Sequence, residues 1–150
     1  MRPNRIALFA IPLLSLVAIQ PPASAQIGQG QQEIQITRTA ATVAQPQEEV
    51  WDVMPYTHAT LQLKVTELSL TGGASIHFYL QTSNTLSDQD WVPMDTLTVP
   101  AAATMPQFDI VELSLDSPNP LGHYLRWQAE FSHSSSTQYA VFWVDLVGRR

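Results

Sequence analysis

The chain contains no cysteine. Disulfides and thiolate-held metals are therefore excluded, and stability must come from packing and backbone hydrogen bonding. Lysine is nearly absent: Lys64 stands alone, charged residues make up 13% of the chain, and the net charge is −6. That is about half the usual charged fraction. A chain this acidic is repelled by phosphate backbones and anionic lipid, which excludes nucleic acid as a partner and a basic membrane-binding patch. Sustained helical periodicity is missing from residue 26 onward, and the polar positions are filled by Ser, Thr, Gln and Asn.

At the start of the chain, Arg2 and Arg5 precede an apolar run over residues 6–19, followed by Pro21, Pro22 and Ala23-Ser24-Ala25. This pattern predicts a secretory signal peptide over residues 1–25, cleaved after Ala25. The run falls short of the roughly 20 apolar residues a membrane-spanning helix needs, and Pro12 interrupts it. A secreted or periplasmic product with no membrane insertion after cleavage is expected. Removing Arg2 and Arg5 leaves a net charge of −8. Residues 26–32, polar and glycine-bearing, read as a flexible leader, and residues 33–150 as one domain.

Within that domain the dominant period is two. Ile34 and Ile36 begin a strand running toward Val43. Over residues 61–70, Leu61, Leu63 and Val65 share one phase while Leu68 and Leu70 share the other, so a bulge near Thr66 and Glu67 is required to bury them all. Thr71-Gly72-Gly73 then reads as the turn of a hairpin, with Ile76, Phe78 and Leu80 inward on the next strand. Pro93 confines residues 91–99 to an edge or a bulge. Phe108 and Ile110 alternate out of phase with Val111, Leu113 and Leu115, which predicts a second bulge. Asp116 to Gly122 is a turn cluster. His123, Leu125, Trp127, Ala129 and Phe131 form one clean inward phase, and residues 139–147, apolar in both phases, belong at the centre of a sheet. The fold class is all-β: a two-sheet antiparallel β-sandwich, jelly-roll-like, of seven or eight strands.

The run Gly122-His123-Tyr124-Leu125-Arg126, leading through Trp127 to a final hydrophobic strand over residues 139–147, resembles the closing strands of discoidin-type, galactose-binding-like jelly-roll domains. The resemblance spans about 30 residues and implies a jelly-roll fold. The cysteine pair that closes many such domains is absent here, and none of that family's ligand loops has a counterpart.

Chemistry-bearing constellations are sparse. The four histidines, at 58, 77, 123 and 133, match no metal-ligand spacing, and His123 falls in an apolar phase, as a core or rim residue would. Asp88 and Asp90, near Ser87 and Asn84, offer oxygen ligands to Ca2+, although two carboxylates are few for that ion. Gly72-Gly73-Ala74-Ser75 lacks the nucleophile-elbow pattern. Any two of Asp109, Glu112, Asp116 and Glu130 would have to converge for glycoside hydrolysis.

Alternation places His77, Tyr79, Tyr124, Arg126 and Gln128 outward, with Tyr139, Trp143 and Asp145 on the last strand. Aromatic faces stack on sugar rings or anchor protein contacts, so His77, Tyr79, Tyr124, Arg126 and Trp143 are the candidate ligand-binding residues. Trp51, Trp91 and Trp127 read as packing residues. The expectation is a non-enzymatic module binding a glycan or an extracellular protein. The alternatives are a structural subunit of an envelope or extracellular assembly, built by strand-edge pairing, and a small secreted hydrolase.

Overall fold

The computed structural model describes residues 27–28, 32–38, 40–54, 56–115, 121–133 and 137–149. The expected signal peptide and Asp116 lie outside the described residues. Among the described residues ten strand segments follow one another: β1 (Ile27–Gly28), β2 (Gln32–Thr37), β3 (Thr42–Ala44), β4 (Trp51–Asp52), β5 (His58–Ser69), β6 (Ser75–Ser83), β7 (Val92–Pro100), β8 (Gln107–Ser114), β9 (Tyr124–Phe131) and β10 (Tyr139–Arg149). One 3-10 turn, Gln47–Glu49, separates β3 from β4.

The strands form two antiparallel sheets. In the first the order is β2-β10-β5-β8, with β1 continuing beyond β2 along the same side of β10; in the second it is β3-β9-β6-β7, with β4 continuing beyond β3 along β9. The ten segments thus occupy eight ladder positions, two more segments than the upper expectation of eight because both outer positions are interrupted. Numbered along the chain, those positions run 1-8-3-6 and 2-7-4-5, the double Greek key of a jelly roll.

Several local expectations hold. Val141 pairs with Glu67 and Phe142 with Val65, so Thr66 is the extra residue of a bulge, its hydroxyl donating to the Val141 carbonyl at 3.2 Å. The bulge resets the phase, and Leu68 and Leu70 pack against the core. β7 is an edge strand whose register shifts at Met94, next to Pro93, and β10 lies inside its sheet.

Other expectations are corrected. β5 and β6 are not a hairpin: they belong to different sheets, and the turn closed by Ala74 N–H on the Thr71 carbonyl, with Gly73 at φ 78°, carries the chain across the sandwich. Leu61, Leu63 and Val65 face Ile76, Phe78 and Leu80 through the core instead of lying beside them. The single strand expected from residue 33 to Val43 is two strands, β2 in the first sheet and β3 in the second, and part of the expected leader, Ile27–Gly28, is paired with β10. β8 has no bulge. Its pairing with β5 is regular throughout, so Val111 and Leu113 turn inward and Phe108 and Ile110 turn out to solvent, 53% and 61% exposed.

The core joins the sheets through aromatic edge-to-face contacts. Phe142 of β10 meets Phe78 of β6 at 4.9 Å between ring centroids and Trp127 of β9 at 5.1 Å. Such pairs add about 0.5–1.5 kcal/mol each beyond burial. Trp51 is buried with them.

Candidate functional site

The outer face of the second sheet gathers most of the expected binding residues. β6 and β9 are neighbours in a register that sets His77 opposite Glu130, Tyr79 opposite Gln128, and Gln81 opposite Arg126. Tyr124 ends this row, opposite Ser83. The side chains are engaged with one another. The His77 ring nitrogens contact the hydroxyls of Thr98 (2.9 Å) and Ser75 (3.3 Å), the Tyr79 phenol donates to Glu130 Oε2 at 2.8 Å, and Gln81 Nε2 donates to Gln128 Oε1 at 2.7 Å. Glu130 raises the Tyr79 phenol above its ordinary value, first by accepting its hydrogen bond, then with desolvation and the nearby negative charge adding.

Arg126 sits at the middle of a clamp. It is only 8% exposed; its Nε donates to Gln81 Oε1 at 2.8 Å, its Nη1 reaches Asp88 Oδ1 at 3.3 Å, and the Trp91 ring covers the guanidinium at 4.3 Å. The loop between β6 and β7 is thereby folded down over the sheet. The guanidinium fork that alternation alone leaves to solvent is spent on the protein itself. Asp90 accepts from the Thr85 hydroxyl at 2.6 Å. The two aspartates of the expected Ca2+ loop therefore serve separate contacts, and among the described residues no three metal-ligating side chains converge.

Two further placements differ from expectation. His123 is exposed, its backbone N–H bonded to Asn84 Oδ1, because β9 begins one residue later and the inward phase starts at Leu125. Trp143 is on β10, in the other sheet, and cannot join Tyr79 and Tyr124 on one surface. The carboxylates considered for hydrolysis are likewise dispersed: Glu130 is on the outer face of the second sheet, Glu112 is on the outer face of the first, and Asp109 points inward.

On the first sheet a second surface emerges. The ladder aligns Phe108 (β8), Lys64 (β5), Trp143 (β10) and Glu33 (β2) in one row, with Ile110, Gln62 and Asp145 in the row beside it. Lys64 Nζ lies 5.7 Å from the Phe108 ring centroid. Gln62, Lys64, Trp143 and Asp145 line a shallow depression. Neighbouring strands are about 4.8 Å apart, so Phe108 and Trp143, two strands apart in the ladder, stand roughly 10 Å from each other. Of this set, alternation sets Trp143 and Asp145 outward and puts Gln62 and Lys64 on the face opposite Leu61, Leu63 and Val65. Phe108 and Ile110 escape it because their apolar character reads as burial; their pairing with Lys64 and Gln62 on the adjacent strand is what turns them out.

Between the open edges β7 and β8 lies an apolar slot of about 20 Å³, lined among others by Leu61, Phe78, Leu97 and Val111 together with Asp95 and Asp109. Burial raises the Asp109 carboxyl above its ordinary value, the charge of Asp95 adds to this, and a hydrogen bond from the Ile110 backbone opposes it.

The fold and surface define a two-sheet jelly roll with an aromatic-bearing outer face. No family model matches the chain, and no curated protein matches it. Among solved structures it is similar to a chain from Bacillus endospore appendages, described as a family of disulfide-linked pili, at 12% identity and a TM-score of 0.43, over 85% of this chain and 90% of that one. A likeness to dimeric latent PorU from Porphyromonas gingivalis has 11% identity and a TM-score of 0.27, covering 79% of this chain and 10% of that chain.

Proposed function

We propose that the protein is an exported, non-catalytic binding module that holds a glycan against the outer face of its first sheet. The observation that carries this reading is the row Phe108–Lys64–Trp143, beside Gln62 and Asp145. It combines two aromatic rings with an ammonium, an amide and a carboxylate. Rings supply apolar faces for a sugar, and the three polar groups supply the donors and acceptors its hydroxyls need. On the opposite face Arg126, Tyr79 and His77 hold internal partners. The resemblance of the closing strands to galactose-binding-like domains belongs to this proposal as a matter of lineage and supplies no ligand residue.

The test is retention of the processed chain on a panel of immobilised polysaccharides, compared with Phe108→Ser and Trp143→Ala. Retention on at least one polysaccharide that falls by roughly tenfold in both variants, a loss of about 1.4 kcal/mol, is expected. Phe108 is exposed, so its replacement should leave unfolding within about 0.5 kcal/mol of the parent. No retention on any member, or retention indifferent to both substitutions, refutes the reading.

A second reading, a structural subunit of an extracellular assembly, is favoured by Phe108 and Ile110 together. Two outward apolar residues on an edge strand also suit packing against a neighbour. Under that reading Ile110→Ser abolishes a concentration-dependent self-association seen by light scattering.

A further inference from the structure

The four outer edges of the sandwich are unequal. β7 carries Pro93 and Pro100, a bulge at Met94 and the inward-turned Asp95; β8 carries the inward-turned Asp109; β3 and β4 are three and two residues long and separated by a 3-10 turn. Prolines, bulges, inward charges and short length each discourage pairing with another chain. β2 has none of these. It is six residues long, Gln32-Glu-Ile-Gln-Ile-Thr37, and among the described residues it pairs only with β10.

The hydrogen-bond parity of β2 fixes what the open edge offers. Arg38 N–H donates to the Gln138 carbonyl at 2.9 Å. Because an antiparallel ladder alternates, the even-numbered residues of β2 bond to β10, while Glu33, Gln35 and Thr37 turn their N–H and C=O groups outward. A second copy of the same strand, related by a two-fold axis through Gln35, matches this pattern. Glu33 then faces Thr37 of the second copy, Gln35 faces its own equivalent, and up to about six backbone hydrogen bonds close. The same register sets Ile34 beside Ile36 of the other copy on the inward side, and the two Glu33 carboxylates do not meet. Shifting by one residue would put apolar side chains opposite polar ones.

We propose that β2 is a self-pairing edge through which two copies join their first sheets into one continuous sheet. The contact is isologous and closes as a dimer. It is independent of the glycan surface, which lies on the sheet face and not at this edge.

Sedimentation of the processed chain should show a monomer–dimer equilibrium. Gln35→Pro removes an outward N–H and leaves the β10 ladder intact, so it should weaken the dimer by at least about tenfold. Gln35→Lys, which opposes two ammonium groups across the axis, should do the same and serves if the proline variant does not fold. In a chain without native cysteine, Gln35→Cys gives one thiol per copy. The paired Cα atoms would be about 5.5 Å apart, within disulfide range. Oxidised glutathione should therefore link Gln35→Cys into a covalent dimer at least about tenfold faster than Thr96→Cys on the guarded edge β7. A monomer at every concentration up to about 1 mM, equal cross-linking of the two thiol variants, or a dimer indifferent to both Gln35→Pro and Gln35→Lys would overturn the proposal. Phe108→Ser should leave the dimer unchanged, so failure here and failure of glycan binding are told apart.

Discussion

Replacing Arg126 by Met keeps most of the buried stem and removes the charged head, which isolates the clamp over the second sheet. Three contacts are lost. A hydrogen bond from a charged donor to the buried Gln81 amide is worth about 1.5–3 kcal/mol. The guanidinium under Trp91 adds about 0.5–2 kcal/mol. The ion pair adds at most about 1 kcal/mol, because the Asp88 side chain is 92% exposed. Since these share one side chain they do not simply add, and a loss of about 2–4 kcal/mol is expected. At about 2.1 cal/mol/K of unfolding entropy per residue, a domain of roughly 120 residues then melts about 8–16 °C lower. Thermal unfolding by circular dichroism reads this directly. Asp88→Ala should cost under about 1 kcal/mol, and raising NaCl should change the Arg126→Met difference little, because buried contacts are weakly screened. An Arg126→Met protein within about 0.5 kcal/mol of the parent would refute the reasoning. So would an Asp88→Ala protein as destabilised as Arg126→Met.

Two further outcomes follow from the shifted groups. Asp109 has a folded-state carboxyl raised above the ordinary 3.8, so its contribution to stability is fully present below that value and is lost as pH rises through the raised one. Asp109→Asn should therefore stabilise the protein at pH 7 and show no advantage near pH 3, as followed by urea unfolding at both values. Tyr79, raised above 10.0 chiefly by its hydrogen bond to Glu130, should ionise at lower pH in Glu130→Gln than in the parent, as read from an absorbance titration at alkaline pH. Stability held by the neutral phenol is likewise lost as pH climbs through its raised value.

Alternation made legible whatever depends on a strand's two faces. The inward rows of β5, β6 and β9, the Thr66 bulge and the edge position of β7 all follow from side chains sorted between core and water. What alternation does not carry is which strands become neighbours. Thr71-Gly72-Gly73 makes a turn whether it joins strands side by side or lifts the chain across the sandwich, and only the facing of Leu61–Val65 with Ile76–Leu80 decides between them. The same gap separated Trp143 from Tyr79, two residues correctly outward but on opposite sheets. Arg126 was outward by phase and is buried by a loop whose docking, through Trp91 and Asp88, has no period to read. Phe108 and Ile110 failed for the reverse reason: apolar side chains on an edge strand facing solvent break the rule that periodicity assumes.

The strand order also governs when the molecule can form. Among the described residues, β6 and β7 are the one consecutive pair bonded to each other; every other step leaves for the opposite sheet or continues along an edge. β10 is the shared partner of β1, β2 and β5. Loops closed over such distances form slowly. Removal of β10 would leave β1 and β2 without a ladder among the described residues, while β5 keeps its pairing with β8 and the second sheet keeps all of its own.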